Sequence, residues 1–354
     1  MPFEISRGTN ISHWLSQTGA RGEDRRNQFR REDAEFCATI GLDHLRLPID
    51  EEQMWDADGN AEEEAFGLLQ EALDWSADLG LRVVIDLHIL RSHHFNTPEK
   101  SLWTSAEAQE RFCQCWRELS GRLGGRPNDM VAYELLNEAV ANDPEDWNRV
   151  AHMALAAVRE LEPDRIVVLG SNQWNQVHTF DVLAVPDDEN LILTFHLYEP
   201  MLLTHYRASW TPLYAYNGPV HYPGVVVAPE EWAAVDESVK EQMRAAAAGM
   251  LGVDEEAMRK LAERHMGECN RDVLAGMVEK ALVVARQHGL PLYCGEWGCM
   301  STVPEPDRLR WYADMRSILE ESGIAWTTWD YKSGHFGLRP GRELNEALIK
   351  TLLP

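Results

Sequence analysis

Apolar residues along this chain fall into two alternating patterns. Runs with period 2, rich in β-branched residues, predict strands; stretches with apolar positions three and four apart predict helices. The first strand is expected at Ile5–Ile11, interrupted by Gly8, and is followed by a helix over Glu32–Ile40 that stops at Gly41. His44–Leu47 reads as the second strand, closed by Pro48, and Glu62–Leu79 as a helix ending at Gly80. LRVVIDLHIL, Leu81 to Leu90, is the third strand, and Ala106–Leu123 the helix after its polar loop. The fourth strand is expected across Val131–Val140, with its helix at Trp147–Leu161 before Pro163. Arg165–Gly170 and Leu191–Tyr198 are the fifth and sixth strands. A helix at Val273–His288, strand at Leu292–Trp297, helix at Asp307–Glu321, strand at Ala325–Tyr331 and helix at Asn345–Leu353 complete the series.

Eight strands alternating with helices at this spacing predict an α/β fold, a single (β/α)8 TIM barrel over residues 1–354. One region departs from the rhythm. Residues 199–271 form a long excursion after the sixth strand, with helical periodicity and many charges from Glu230 to His265. It is expected to be an inserted subregion on the rim, because a structureless loop of that length is uncommon in a compact domain.

Strand alternation also predicts which side chains share the barrel interior. The expected inner sets are His44 with Arg46, Asp86 with His88, and Glu134 with Leu136 and Glu138. Thr194, His196 and Tyr198 form another, followed by Cys294 with Glu296 and Thr327 with Trp329. Barrel enzymes build their sites at the C-terminal ends of the strands. Arg46, His88, Glu138, His196, Tyr198, Glu296 and Trp329 would converge there. Asn137 has the opposite parity to Glu138, so both reach the interior only if the strand bulges or turns.

Composition narrows the partners. The formal charge of −25, with six Lys among 33 basic residues, argues against nucleic acid and anionic membranes. A neutral partner such as a sugar chain is compatible with it. No apolar stretch is long enough to span a bilayer, and the first residues carry no signal-peptide pattern, which leaves localisation open. The six cysteines lack paired zinc-ligand spacing and are expected to be buried thiols.

Two carboxylates from different strands, with His, Tyr and Arg around them, suit glycoside hydrolysis. One carboxyl must be protonated to donate to the leaving oxygen; the other must be ionised to attack or to activate water. Arg46 can hold one ionised, His196 can tune the other, and Trp329 offers a flat face to a sugar ring. A rival chemistry is a metal-dependent hydrolase, with His88, His93, His94, His196 and Asp330 as candidate ligands. No His-x-His on the first strand and no helical His-Glu-x-x-His supports it. A catalytically inert sugar-binding barrel is a further alternative, which both carboxylates speak against.

LRLPI around Arg46, VVIDLH ending at His88, Asn137-Glu138, FHLY with His196 and Tyr198, CGEWG around Glu296 and WTTWDY around Trp329 occur in an order that resembles glycoside hydrolase family 5. The resemblance implies a retaining enzyme without metal or organic cofactor. In it Glu138 would be the acid/base and Glu296 the nucleophile held by Arg46. Asn137 would bind the 2-hydroxyl beside the scissile bond, His88 would contact sugar, and Trp329 would be a sugar platform. His196 would lie near the acid/base and Tyr198 toward the nucleophile. A β-linked oligo- or polysaccharide is the implied partner, with endo-β-1,4-glucanase activity the first expectation. β-Mannanase, β-1,3-glucanase and exo-acting β-glucosidase activities stay open. Trp14, His94, Trp174, Trp210 and Trp297 are candidate rim contacts to sugar; Trp103 and Trp232 also fall in or near rim loops.

Overall fold

The computed structural model describes residues 3–98, 100–251, 264–341 and 343–354. Eight parallel strands close into a barrel in which every strand neighbours its predecessor and successor in sequence. They are β1 (Arg7–Asn10), β2 (His44–Asp50), β3 (Arg82–Ile89), β4 (Val131–Glu134), β5 (Val167–Gly170), β6 (Leu191–Leu197), β7 (Leu292–Trp297) and β8 (Ala325–Thr328). Helices follow the strands, as the expected (β/α)8 order requires; among them are Glu63–Asp78, Ala106–Leu123, Pro144–Arg159 and Glu305–Glu321. Gly41, just past the helix Arg31–Thr39, has φ +93°, the left-handed turn that a side chain disfavours.

The chain forms two compact units. One holds Met1–His196, Lys280–Glu296 and Ile324–Tyr331; the other holds Leu197–Glu279, Trp297–Gly323 and Lys332–Pro354. In the first, Val84, Ala132, Val168, Ile192 and Tyr293 form a buried cluster against which Phe3, Ile5, Ile166 and Ala325 pack. In the second, residues 199–251 carry Met201–Thr204, Pro212–Ala215, Pro229–Ala234 and Glu237–Leu251 as short helices, and Gly224–Val225 pairs antiparallel with Glu268–Cys269. The expected helical stretch Glu230–His265 is therefore present in its first part, while 252–263 lie outside the described residues. Glu199 is buried, meets Arg264 and His265 in ion pairs, and accepts at its backbone carbonyl from Trp311 Nε1 (2.9 Å).

Two strand boundaries differ from expectation. Pro48 does not close β2, which runs on to Asp50. Arg46 O accepts from Ile11 N (2.9 Å) and Asp50 N donates to Leu15 O (2.8 Å), so these even-numbered residues turn their backbone groups toward the first strand's side. Pro48 falls between them, after β1 has left the ladder, where no N–H is needed. Conversely β4 ends at Glu134, six residues earlier than expected, for a reason given below. The cysteines are as expected: all six are buried thiols. Among the described residues no helix is long and apolar enough to cross a membrane.

Gly8 shows how tightly the inner layer is filled. A Cβ there would lie 2.6 Å from both His44 Nε2 and Thr327 Cγ2. Gly8→Ala is expected to destabilise the fold by ~1–3 kcal/mol through overpacking, read as a lowered urea midpoint; an unchanged midpoint would show that the layer can yield.

Candidate active site

Arg46 lies on the inner face of β2 and is fully buried. Its five N–H groups all find acceptors. Nε and Nη2 fork onto Glu134 (2.7 and 2.9 Å), Nη2 also reaches Asn137 Oδ1 (2.8 Å), and Nη1 is shared by Asn10 Oδ1 (2.9 Å) and Glu296 Oε1 (2.8 Å). Asp86 Oδ2 is a further 3.1 Å from Nη2. The alternation of β2, β3 and β4 brings this set together, since Pro48, Asp86 and Glu134 are in register across the three strands.

Asn137 and Glu138 both reach the interior because the strand turns between them and Glu134. Leu135 N donates to Val168 O on the β5 side (3.2 Å), yet Asn137 N donates to Leu87 O on the β3 side (3.2 Å). On an unbroken strand, residues two apart would donate to the same neighbour. The chain has slipped its phase there, and that slip ends β4 early. Glu138 Oε1 is 2.8 Å from His196 Nδ1, and the same nitrogen is 3.8 Å from Glu296 Oε2. One oxygen of each carboxyl and one nitrogen of His196 lie within 4.8 Å of one another.

A similar change of phase delivers Glu296, and here an expectation is corrected. Cys294 and Glu296 do not define the inner face of β7; Tyr293 and Gly295 do. Tyr293 joins the inner apolar cluster, and a Cβ on Gly295 would lie 2.9 Å from Thr194 Oγ1 and 3.3 Å from His196 Nε2. The Gly295 carbonyl is held by Asn10 Nδ2 (3.0 Å) and Thr327 Oγ1 (2.6 Å), and the next residue, Glu296, reaches Arg46. Trp297 then packs on Trp311 and Tyr312.

Four buried carboxyls thus surround one guanidinium. Burial opposes the charge on Arg46, but Asp86, Glu134 and Glu296 outweigh it and hold its pKa well above the usual value. Burial pushes Asp86 up to about 7 against the pull of Arg46, and does the same to Glu134. Glu138 is driven well above the carboxyl range, first by burial and then by the like charge of Glu296. Burial, with Arg46 and His88 nearby, drives His196 well below its usual value, so no second cation shares the site.

Beside the carboxyls, His88 Nδ1 is 2.6 Å from Asp86 Oδ2 and Nε2 is 3.2 Å from Gln17 Nε2. Burial lowers His88 to about 4, so it is neutral, with Nδ1–H donating to Asp86 and Nε2 accepting from Gln17. The Trp329 ring stacks on His88 (5.6 Å between centroids, 9°). Asn10 and Gln17 were missed by sequence reasoning. Asn10 ends a strand and could have been noticed; Gln17 sits in an irregular loop at φ +53°, for which no period exists.

The other expected contacts scatter. Trp14 is fully buried against Phe29, and Trp297 is fully buried as described, so neither is a rim contact to sugar; each fills a core under its own loop. Trp174 is half-buried just after β5, and His94 is half-buried against Phe95. In the second unit, Tyr198 meets His205 and Phe336, and Trp210, 42% exposed, leans on His205 and His335. The metal-ligand set proposed from sequence does not assemble. His93 Nε2 accepts from Val140 N, and Asp330 accepts from Ser12, while His196 is grouped with the two glutamates.

A closed parallel barrel with one carboxyl kept protonated beside another bound to arginine, at the strand ends, is the build of a barrel enzyme that cleaves glycosidic bonds by acid and carboxylate action. The chain belongs to the cellulase family, glycosyl hydrolase family 5, whose sequence model matches residues 26–335. It is a glycoside hydrolase, and the family's substrate class is β-glucan. It is 29% identical to Endoglucanase C of Acetivibrio thermocellus over 334 residues, 93% of this chain and 92% of that one. It is 28% identical to Cellodextrinase A of Ruminococcus flavefaciens, over 91% and 84% of the two chains. The fold also matches Thermotoga maritima Cel5A in complex with cellobiose (TM-score 0.73, 22% identity, 98% and 97% covered) and the cellulose synthase subunit Z of Clostridioides difficile (0.75, 20%, 99% and 100%).

Replacing Arg46 by Met leaves buried carboxyls without their cation, and is expected to cost ~3–5 kcal/mol of stability. Asp86 and Glu134 already sit near 7 with Arg46 present, against ordinary values of 3.8 and 4.5, and would rise further without it. A carboxyl raised in the folded state supports folding while protonated and loses that support as pH rises through its folded pKa, so the loss should be greater at about pH 8 than at about pH 5. Urea unfolding at the two pH values checks this; equal losses would contradict it.

Proposed function

We propose that this protein is a retaining endo-β-1,4-glucanase in which Glu296 is the nucleophile and Glu138 the acid/base. The observation that carries the reading is the facing pair of carboxyls with opposite surroundings. Glu296 accepts a charge-assisted bond from Arg46, which favours the ionised form, while Glu138 lies deep enough to keep its proton. Oxygens of the pair within 4.8 Å suit the short separation of retaining enzymes, about 5–5.5 Å, and not the ~6.5–9.5 Å that leaves room for a water in inverting ones.

In this mechanism a Glu296 oxygen bonds to the anomeric carbon as the glycosidic C–O bond breaks, and the Glu138 proton goes to the departing oxygen. Glu138, now a carboxylate, takes a proton from water, which attacks the same carbon and frees Glu296. Neutral His196 beside Glu138 adds no positive charge that would depress its pKa. Asn137, anchored on Arg46, binds the sugar 2-hydroxyl, and His88 and Trp329 offer a polar edge and a flat face. Trp174, His94 and Trp210 are half-buried or exposed and contact sugar in longer chains. Residues 1–354 act as one catalytic domain with 199–271 inserted in it, a reading supported by the family match running on both sides of that segment. Endo action on a β-1,4-glucan is supported by full-length similarity to proteins named endoglucanase and cellodextrinase. A metal-dependent reading retains one observation, the Glu138–His196–Glu296 trio whose ligand atoms are close enough for an ion.

Glu296→Gln is expected to abolish turnover with the circular-dichroism spectrum unchanged; ordinary activity in it would end the assignment. The rate should fall on the alkaline side as Glu138 loses its proton, and Glu138→Ala should remove that limb and cripple poor leaving groups most. Product lengths from β-1,4-glucan report endo or exo action, and intact polymer beside cleaved aryl-glucoside would defeat the endo reading. Activity that survives prolonged chelation excludes the metal.

A further inference from the structure

After Asn137, whose N–H still bonds to Leu87 O, the chain leaves the regular backbone ladder, yet the three residues after Glu138 keep a strand-like alternation. Ala139 and Ala141 turn their backbone groups to the β5 side and Val140 turns its own to the β3 side. Side chains supply most of the partners. Val140 N–H donates to His93 Nε2 (3.2 Å), and Val140 O accepts from Trp103 Nε1 (2.7 Å). Ala141 N–H donates to Asn172 Oδ1 (2.9 Å), and Ala141 O accepts from Asn172 Nδ2 (2.9 Å) and Gln173 Nε2 (2.6 Å). Ala139 O accepts from Trp174 N (3.1 Å).

The clamping groups are themselves fixed. His93 and Asn172 are buried; His93 exchanges two backbone bonds with Leu90 and meets the Trp103 ring edge-on at 5.2 Å, and Trp103 meets Trp147 in turn. Gln173, Trp174 and Asn175 all have left-handed φ (51°, 61° and 56°), a run of three that non-glycine residues adopt only where their surroundings compel it. That strained turn is what aims Trp174 N and the Asn172 amide at the Ala139–Ala141 segment.

The geometry points to His93, Trp103 and Asn172 as positioning residues for Glu138: by replacing the missing ladder on both sides of the segment after it, they set where the acid/base carboxyl stands. This rests on the reading of Glu138 as acid/base. None of the three touches the carboxyl, so they act on catalysis through the backbone alone. The role of His93 requires a bare Nε2, and burial keeps the ring neutral by lowering it to about 3.

The test compares a cello-oligosaccharide, whose leaving group needs a proton, with dinitrophenyl β-cellobioside, whose leaving group does not. His93→Phe is expected to lower kcat/KM, which reports the first displacement, by about tenfold or more on the first and by less than about threefold on the second. Its alkaline limb should move to lower pH as water reaches Glu138, and His93→Gln, which restores an acceptor, should recover part of the loss. Trp103→Phe keeps an aromatic ring but loses the indole N–H together with the second ring, and it gives the same selective loss should His93→Phe fold poorly. Equal losses on both substrates, with an unmoved pH profile, would reduce the clamp to a general structural role and overturn the proposal. Glu138→Ala is measured alongside. If it shows no leaving-group selectivity, the assignment of Glu138 falls and the clamp's purpose with it; if it does and neither clamp variant does, the clamp alone is wrong.

Discussion

The buried guanidinium of Arg46 is the constraint to which the rest of the barrel's upper layer conforms. Taking a cation out of water costs several kcal/mol, and the cost is met only when every donor is satisfied and the charge is paired. Here five N–H groups meet acceptors from three strands or strand ends, Asn10, Glu134 with Asn137, and Glu296, with Asp86 of a fourth close by. The planar fork fixes the relative positions of β1, β2, β4 and β7 at that level. No lysine could hold so many partners in one plane.

The same arrangement explains why the site stores protons. One guanidinium faces four buried carboxyls, and both nearby imidazoles are held neutral by burial. The charge cannot balance unless some carboxyls stay protonated. Asp86, Glu134 and Glu138 are all pushed upward, and Glu138, which Arg46 does not contact directly, is pushed well above the carboxyl range. The different surroundings of Glu138 and Glu296 follow from which of them the arginine reaches.

Reaching these positions required the strands to depart from regularity. Asn137 and Glu296 have the wrong parity for an ideal strand, and each arrives through a local change of phase: β4 turns after Glu134, and the Gly295 carbonyl is held by Asn10 and Thr327. A glycine at 295 is needed because Thr194 and His196 already occupy the space a Cβ would fill. The irregular backbone at both carboxyls is supported from the sides, by side chains that take the place of absent ladder bonds.

Period, glycine stops and β-branched runs determined the barrel, because those signals are local and repeat eight times. The residues around Arg46 were legible for a related reason: a polar side chain on an otherwise apolar strand face stands out against its neighbours. Pairwise geometry was not legible. Whether Pro48 ends a strand depends on where β1 leaves the ladder, and whether Trp14 or Trp297 sees solvent depends on Phe29 or on Trp311 and Tyr312, each on a different element from the tryptophan it covers. Alternation likewise misassigned Cys294, since a change of phase at Gly295 is invisible to a period-2 count. Glu138 shows the division most clearly. The sequence alone placed it at the end of a strand beside a second carboxylate; that it keeps its proton, and on which backbone it stands, was decided by burial, by the distance to Glu296 and by partners drawn from the stretches after β3 and β5.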